Sequence, residues 1–356
     1  MVNATPNPIK EYYIAYFDIL GYKEFFKQQP EKVPELLNAI HDAIRHTNNH
    51  IGAANASPLM HGVAGIEIKA KIFSDNILLC MEVTSIPNEP FRLFQFLQIV
   101  ADIQRGFVTE YGLFVRGAIT KGDMSFNDDY VFGQGIIDAV TMEESAIYPR
   151  IVISTDLANT LLNFTPYTQD DYNRAVIIEN KYKAGKEIPV NEQVFYGQMC
   201  SLRMADVYYK YAISRLILLW RDNNWILCYL YRLDVSELLG ETVKASLLSS
   251  IQKMSPSDYE LVNQPGQPFD NALALHKMRV EEQLVKFGSN ADIPTGDFKV
   301  AEAREKILRK YIWVMALHNQ VCSNYKKTEY GILTRCNCDA RFLKMTIEVL
   351  KDEAGV

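Results

Sequence analysis

The 356-residue chain lacks two features that would assign it to a broad class at once. It has no surplus of basic residues, since 37 Lys and Arg stand against 43 Asp and Glu, and a general nucleic-acid binder needs such a surplus to neutralise phosphates. It also has no long apolar run, because the richest stretch, residues 211–231, is interrupted by "RDNN" and neither half is long enough to span a bilayer. We therefore expect a protein that binds neither membranes nor nucleic acids.

Cysteine is also scarce and scattered. Six cysteines occur at positions 80, 200, 228, 322, 336 and 338, and the one close pair, "CNC", has no second pair with which to form a zinc site. The polar opening "MVNATPNPIK" does not resemble a secretory leader. These observations predict free thiols and a cytoplasmic location.

The order of apolar patterns predicts the fold class. Hydrophobic residues make up 48% of the chain, which is enough for a substantial core. The patterns predict a strand at 12–17, a helix at 30–44, a hairpin at 66–83 and a helix at 90–112, then shorter strands and helices to 162 and a second hairpin at 213–235. This order predicts an α+β fold with one sheet covered by helices. We interpret residues 1–239 as one domain and residues 240–356 as a C-terminal helical extension.

Two aspartates stand where apolar strands end. Asp18 follows "YIAYF", and Asp75 is at the tip of the hairpin in "KAKIFSDNILLC". Aspartate is common at strand ends and turns, so neither residue is informative alone. If the two strands are neighbours, however, both carboxylates meet, and a carbonyl from the Ile19-Leu20 turn completes a hard-oxygen site for Mg²⁺ or Mn²⁺. The Gly21 turn then offers backbone N–H groups to phosphate oxygens.

Five segments together resemble the class III nucleotidyl cyclases. "FDILGY", "IKAKIFSDN", "VRGAITKGD", "VFGQGIIDAVTMEESA" and "PRIVIS" occur in the order and approximate spacing of that family, over about residues 12–165. Within the family, the "YFDILG" start and the added C-terminal helices are most similar to the pyrimidine nucleotide cyclases of Pycsar antiphage defence. The resemblance implies a ferredoxin-like, class III cyclase-like sheet with covering helices.

The resemblance also implies a site and a reaction. Two Mg²⁺ or Mn²⁺ ions would be held by Asp18, the carbonyl of Ile19 and Asp75, and the ribose 3′-OH would attack the α-phosphorus of a nucleoside triphosphate. Arg116 matches an arginine that contacts the triphosphate, while Lys71 and Tyr130 match base-reading positions. The substrate-binding residues implied are Leu20, Gly21, Tyr22, Lys71, Arg116, Tyr130 and Asp138. In this family the site lies between the two chains of a head-to-tail homodimer.

The base-reading positions favour a pyrimidine. Tyr130 replaces the aspartate of adenylate-forming members, which argues against adenine, and its bulk narrows the pocket. The Lys71 ammonium can donate to uracil O4, where cytosine presents a donor of its own. We therefore expect UTP to be converted to cyclic UMP (cUMP). CTP, ATP and GTP remain alternatives, whereas the absence of a Gly-Gly-Asp-Glu-Phe signature argues against a diguanylate cyclase.

The chain departs from the family at one catalytic pair. Active members carry an Asn and, four residues later, an Arg that stabilise the reacting α-phosphate. The corresponding positions here are Asp138 and Met142, or Ile137 and Thr141 in the other register. Either another cation supplies that charge (Arg150, Lys121 or a group from the C-terminal helices), or the chain is a non-catalytic nucleotide-binding module.

Overall fold

The structure, a computed structural model, describes residues 8–42, 67–86, 89–231, 267–288, 298–332 and 348–349. Ile44, most of the loop predicted at 255–272, and Cys336 and Cys338 lie outside these ranges. Cys80, Cys200, Cys228 and Cys322 are free thiols, as predicted. No helix in the described parts of the chain is both long and apolar enough to cross a membrane.

The first half of the chain forms most of the sheet. Its elements are β1 (Lys10–Leu20), α1 (Tyr22–Gln28), a 3₁₀ turn (Pro30–Lys32), α2 (33–42), β2 (Ile68–Phe73), β3 (Asn76–Glu82), α3 (Glu89–Gly106), a π-helical turn (Phe107–Tyr111), β4 (Phe114–Phe126), β5 (Val131–Phe132), α4 (Gln134–Ser145), β6 (Ile151–Ile153) and α5 (Thr155–Leu162). The predicted hairpin at 66–83 and the predicted helices of this half are thus confirmed where the structure describes them.

The second half is mainly helical. Its elements are α6 (Gln169–Lys183), α7 (Val190–Leu216), β7 (Ile217–Leu219), β8 (Trp225–Leu227), α8 (Gln267–Gly288), α9 (Phe298–Asn324) and a 3₁₀ turn (Thr328–Tyr330). The second hairpin is shorter than predicted, because residues 213–216 form the last turn of α7. Short apolar runs do not distinguish helix from strand by pattern alone. Similarly, the predicted loop is wrong over 267–272, where α8 begins.

One mixed sheet organises the molecule. The strands run in the order β2-β3-β1-β4-β6-β8-β7, and β5 pairs with the end of β4. β1 is antiparallel to both β3 and β4, whereas β4 and β6 are parallel. Helices cover this sheet, so the predicted α+β class is confirmed.

The two faces of β1 have different surroundings. Tyr13, Ala15 and Phe17 point into the large core, because side chains alternate along a strand. Tyr12, Ile14, Tyr16 and Asp18 occupy the opposite face, which we call the site face. Helix α4 packs on this face against β1 and β4. The approach is so close that a Cβ on Gly122 would lie 2.6 Å from Cα of Gly135.

The helices α8 and α9 share the core of the sheet. Trp313 of α9 is completely buried, and its ring stacks on Tyr148 at 5.6 Å and lies 5.3 Å from Trp220. Tyr311 of α9 contacts Phe114 at the start of β4, with ring centroids 5.3 Å apart. The helical spacing of Trp313 with Leu308 and Ile312 in the sequence predicts a core position, which the structure confirms. The boundary at residues 239/240 stays a prediction.

Candidate functional site

Strand pairing brings the two predicted aspartates together. Asp18 lies opposite Asn76 in the β1–β3 pair, so Asp75 is one residue beyond that register position. The backbone N–H of Ile19 donates to the carbonyl of Asp75 at 2.8 Å, which fastens the hairpin tip to the end of β1. On the same face, the hydroxyl of Tyr16 donates to Oδ1 of Asn76 at 2.8 Å. The end of β1 and the hairpin tip therefore form one local unit.

The electrostatics of this unit fit a divalent cation. Burial raises the pKa of the Asp18 carboxyl, and the nearby charge of Asp75 raises it further, while Arg116, Lys310 and Lys23 oppose the shift. Two like charges in a partly desolvated place are unfavourable until a cation joins them. Among the described residues, no group of three or more His, Cys, Asp or Glu is arranged to hold a metal. A cation here would take its other ligands from backbone oxygens, water or substrate phosphates, which suits Mg²⁺.

Arg116 lies on the other side of Asp18. The β1–β4 register places the two residues directly opposite each other, so both point to the site face. Nε of Arg116 donates to Oε1 of Glu143 at 2.6 Å. Burial raises the pKa of Glu143, and Arg116 opposes that shift. Because this bond uses Nε, it orients the guanidinium without using its two terminal nitrogens.

Glu143 is a site residue that the sequence motifs do not indicate. Its side chain is only 6% exposed, on the side of α4 that faces the sheet. Gly135, Ala139 and Glu143 follow one another at four-residue spacing and are all buried. This spacing was the sequence signal that could have identified Glu143. A glutamate on the buried side of a helix needs a charged or hydrogen-bonding partner.

Lys310 of α9 is a second cation near the site. Burial and the charge of Arg116 lower the pKa of Lys310, whereas Asp18 and Glu143 raise it. The other cations considered from the sequence are engaged elsewhere. Arg150 pairs with Asp222 and donates to the carbonyl of Ala146. Lys121 pairs with Glu11 at 2.9 Å.

The predicted base-reading residues lie near one another. Lys71 of β2 pairs with Leu78 of β3, and Leu78 pairs with Tyr16 of β1. Lys71 is therefore on the site face. Its ammonium donates to the carbonyl of Asp128, in the loop that leads to Tyr130. The Tyr130 backbone N–H is bound by Oδ1 of Asn127 at 2.8 Å, and the residue is 41% exposed. Lys71 is therefore on the site face, two strands from Asp18, and Tyr130 is in the β4–β5 loop that Lys71 contacts.

The turn after β1 exposes backbone. Gly21 has φ 79°, a left-handed conformation that favours glycine. A Cβ added there would meet nothing within 4 Å, so the turn faces open space. By contrast, the side chains of Leu20 and Tyr22 pack partly against the core. The main chain is thus the part of this turn that is available to a ligand.

The predicted substrate contact Asp138 lies apart from this cluster. Asp138 is on an exposed side of α4 and accepts a bond from Nε2 of Gln134 at 2.7 Å. Ile137 is 55% exposed, and Met142 packs against the core. In either register, therefore, α4 places no Asn and Arg pair beside Asp18 of the same chain.

The chain was compared with known protein families, sequences and structures. No family model and no curated protein matches this sequence. The chain is similar to the adenylyl cyclase CyaB from P. aeruginosa, at 14% identity and a TM-score of 0.33, over 44% of this chain and 83% of that one. It is also similar to a class III adenylyl cyclase-like ATP-binding protein from Pseudomonas aeruginosa, at 10% identity and a TM-score of 0.26, over 49% of this chain and 39% of that one. At such TM-scores these similarities carry no argument about fold, substrate or activity.

Proposed function

We propose that this chain is a metal-dependent nucleotidyl cyclase that converts a pyrimidine nucleoside triphosphate, UTP in preference, into its 3′,5′-cyclic monophosphate and pyrophosphate. The observation that supports this most is the placement of Asp18 and Asp75 at adjoining strand ends, with Arg116 opposite Asp18. Carboxylates bind Mg²⁺ or Mn²⁺, and a guanidinium binds phosphate. The three side chains together therefore suit a metal-bound nucleoside triphosphate.

The residues have distinct parts in this reaction. Asp18, Asp75 and the carbonyl of Ile19 would hold one or two Mg²⁺ or Mn²⁺ ions, which supply a lower pKa for the 3′-hydroxyl and charge neutralisation for the phosphates. A bond forms between the ribose 3′-oxygen and the α-phosphorus, the bond from that phosphorus to the bridging oxygen breaks, and the electron pair leaves with pyrophosphate. The hydroxyl proton goes to solvent. Arg116 binds triphosphate oxygens through its terminal nitrogens.

The base would be read at the other end of the site face. The ammonium of Lys71 donates to uracil O4, and the ring of Tyr130 limits the space available to a purine. The contact between Lys71 and the loop that carries Tyr130 supports the proposal that both residues read the same base. Leu20, Gly21 and Tyr22 provide the turn beside the phosphates. Asp138 would contact substrate only from a second chain.

The wider role of the protein follows from the resemblance. The product would be a second messenger, made in the cytoplasm as part of bacterial antiphage defence. A head-to-tail homodimer would complete the site. Phe73 beside the hairpin tip, and Phe132 and Ile137 around the start of α4, are 50%, 72% and 55% exposed, and exposed apolar side chains of this kind are suited to such a contact.

A nucleotide-binding module without turnover is the second candidate. It is favoured by one observation, namely that Arg116 is neutralised by Glu143 while α4 supplies no Asn and Arg pair. In such a module, Arg116 and Lys71 would hold a nucleotide that leaves unchanged.

The test is to incubate the protein with Mn²⁺ and each of ATP, GTP, CTP and UTP, and to detect cyclic nucleotide and pyrophosphate by mass. Asp75→Asn should abolish turnover. The matched control is Asp123→Asn, which changes an exposed carboxylate on the opposite face of the sheet. Conversion of UTP alone supports the proposal, whereas conversion of another nucleotide corrects the base. Binding without conversion of any of the four favours the module.

A further inference from the structure

Lys310 occupies an unusual position on α9. Residues three, four and seven positions later are Trp313, Val314 and Leu317, which share its side of the helix. All three are at most 1% exposed. Lys310 therefore extends the core-facing stripe, where a lysine is rare unless it has a partner. By contrast, Lys306, one turn earlier, has a side chain that is 72% exposed.

Its helical neighbours place Lys310 beside the proposed site. Tyr311 contacts Phe114, and Phe114 stands two residues before Arg116 on the same face of β4. Trp313 stacks on Tyr148, which follows the end of α4. The helix thus lies across the region where the start of β4 meets the end of α4, and the ion pair between Arg116 and Glu143 bridges these two elements.

The charges around Lys310 favour the binding of an anion. Asp18 and Glu143 attract its ammonium, while Arg116 repels it and burial disfavours its charge. If Asp18 binds a metal, that carboxylate no longer neutralises the lysine. Two cations, Arg116 and Lys310, then repel each other in a partly desolvated place, with Glu143 as the remaining carboxylate that influences both. A triphosphate would relieve this repulsion, since it brings several negative charges.

We propose that Lys310 binds the phosphates of the substrate and is the catalytic cation of this site, in place of the Asn and Arg pair that α4 lacks. This inference rests on the proposed function and extends it. It also makes the C-terminal helices part of the active site, because α9 supplies a group that the sheet and α4 do not. A point charge on a flexible stem suits contact with phosphate oxygens.

The experiment compares Lys310→Met, Lys310→Arg and the control Lys306→Met in the full chain. Steady-state kinetics use the nucleotide that the wild type converts, and thermal unfolding monitors the fold. Lys310→Met should lower kcat by about 100-fold or more, the usual loss for one electrostatic donor at a reacting group. Lys310→Arg should recover at least about tenfold of this loss, since it restores the charge. Lys306→Met should resemble the wild type.

Failure of this inference differs from failure of the proposed function. If the wild type converts UTP and Lys310→Met matches it in kcat and KM, the role of Lys310 is overturned while the cyclase stands. A loss of stability and kcat that Lys310→Arg does not repair also overturns it, because such a result shows a structural role. If the wild type converts no nucleotide, calorimetric titration of the wild type and Lys310→Met with inorganic tripolyphosphate tests whether Lys310 contacts phosphate. Binding at least about tenfold weaker in Lys310→Met supports a phosphate contact, and equal binding overturns it.

Discussion

Replacing Asp75 by Asn preserves the size of the side chain and removes one of two negative charges at the end of β1. Burial raises the pKa of Asp18, and Asp75 adds to that shift. Without Asp75, the pKa of Asp18 should move back towards its ordinary range. The metal-free protein should therefore become more stable, even though turnover is lost. This opposition between stability and activity is what a shared cation site predicts.

The size of the effect follows from the strand geometry. Adjacent strands are about 4.8 Å apart, so carboxylates near their ends are separated by roughly 6 Å. At an effective dielectric constant of about 40 to 80, Coulomb's law then gives about 1 kcal/mol. For a chain of this size, 1 kcal/mol corresponds to at most about 2 °C in Tm.

The pH dependence has a definite sign. The folded pKa of Asp18 lies above the ordinary value of 3.8, so the folded state binds that proton more tightly than the unfolded state. Stability is lost as pH rises from about 3.8 through the folded pKa, and the loss is constant above it. The advantage of Asp75→Asn should therefore be present at pH 7 and disappear as pH falls through that range.

Thermal melts with and without Mn²⁺ measure both effects. In the wild type, Mn²⁺ at about 100 times its Kd should raise the free energy of unfolding by about 2.7 kcal/mol. Asp75→Asn should lose most of this response, whereas the control Asp123→Asn should keep it. Destabilisation of the metal-free protein by Asp75→Asn, or an equal response to Mn²⁺ in both proteins, would refute the reasoning.

The other predictions concern the ion pair, the base and the core. Glu143→Gln should lower KM for the triphosphate by about fivefold, because it removes about 1 kcal/mol of competing charge beside Arg116 while leaving an acceptor for Nε. An unchanged or higher KM in steady-state kinetics would contradict this. Lys71→Met and Tyr130→Ala should each reduce the ratio of kcat/KM for UTP over the other three nucleotides, and unchanged selectivity in both would show that the base binds elsewhere. Trp313→Ala should lower the free energy of unfolding in urea by about 3 to 5 kcal/mol, because it empties a fully buried site, and Trp313→Phe is the milder control. A loss below about 1 kcal/mol would mean that α9 contributes little to the core.

Local patterns allowed much of the first half to be predicted. The strand before Asp18 and the hairpin around Asp75 were recognisable because alternation, β-branched residues and turn residues are properties of short segments. Trp313 was placed in the core from its spacing in an amphipathic helix. The end of α7 was predicted wrongly as strand, because its apolar residues lead directly into β7 and no breaker separates the two.

By itself, the sequence determined most strands and helices of the first half of the chain, that two carboxylates stand at strand ends, and that α4 lacks the expected Asn and Arg. Only the tertiary structure decided which strands are neighbours, and with that the position of Arg116 opposite Asp18. It also decided that Glu143 meets Arg116 and that Lys310 approaches Asp18 from the far end of the chain. The physical reason is that such contacts depend on how whole helices and strands pack against each other. Local sequence patterns do not predict which distant side chain will lie beside a buried charge.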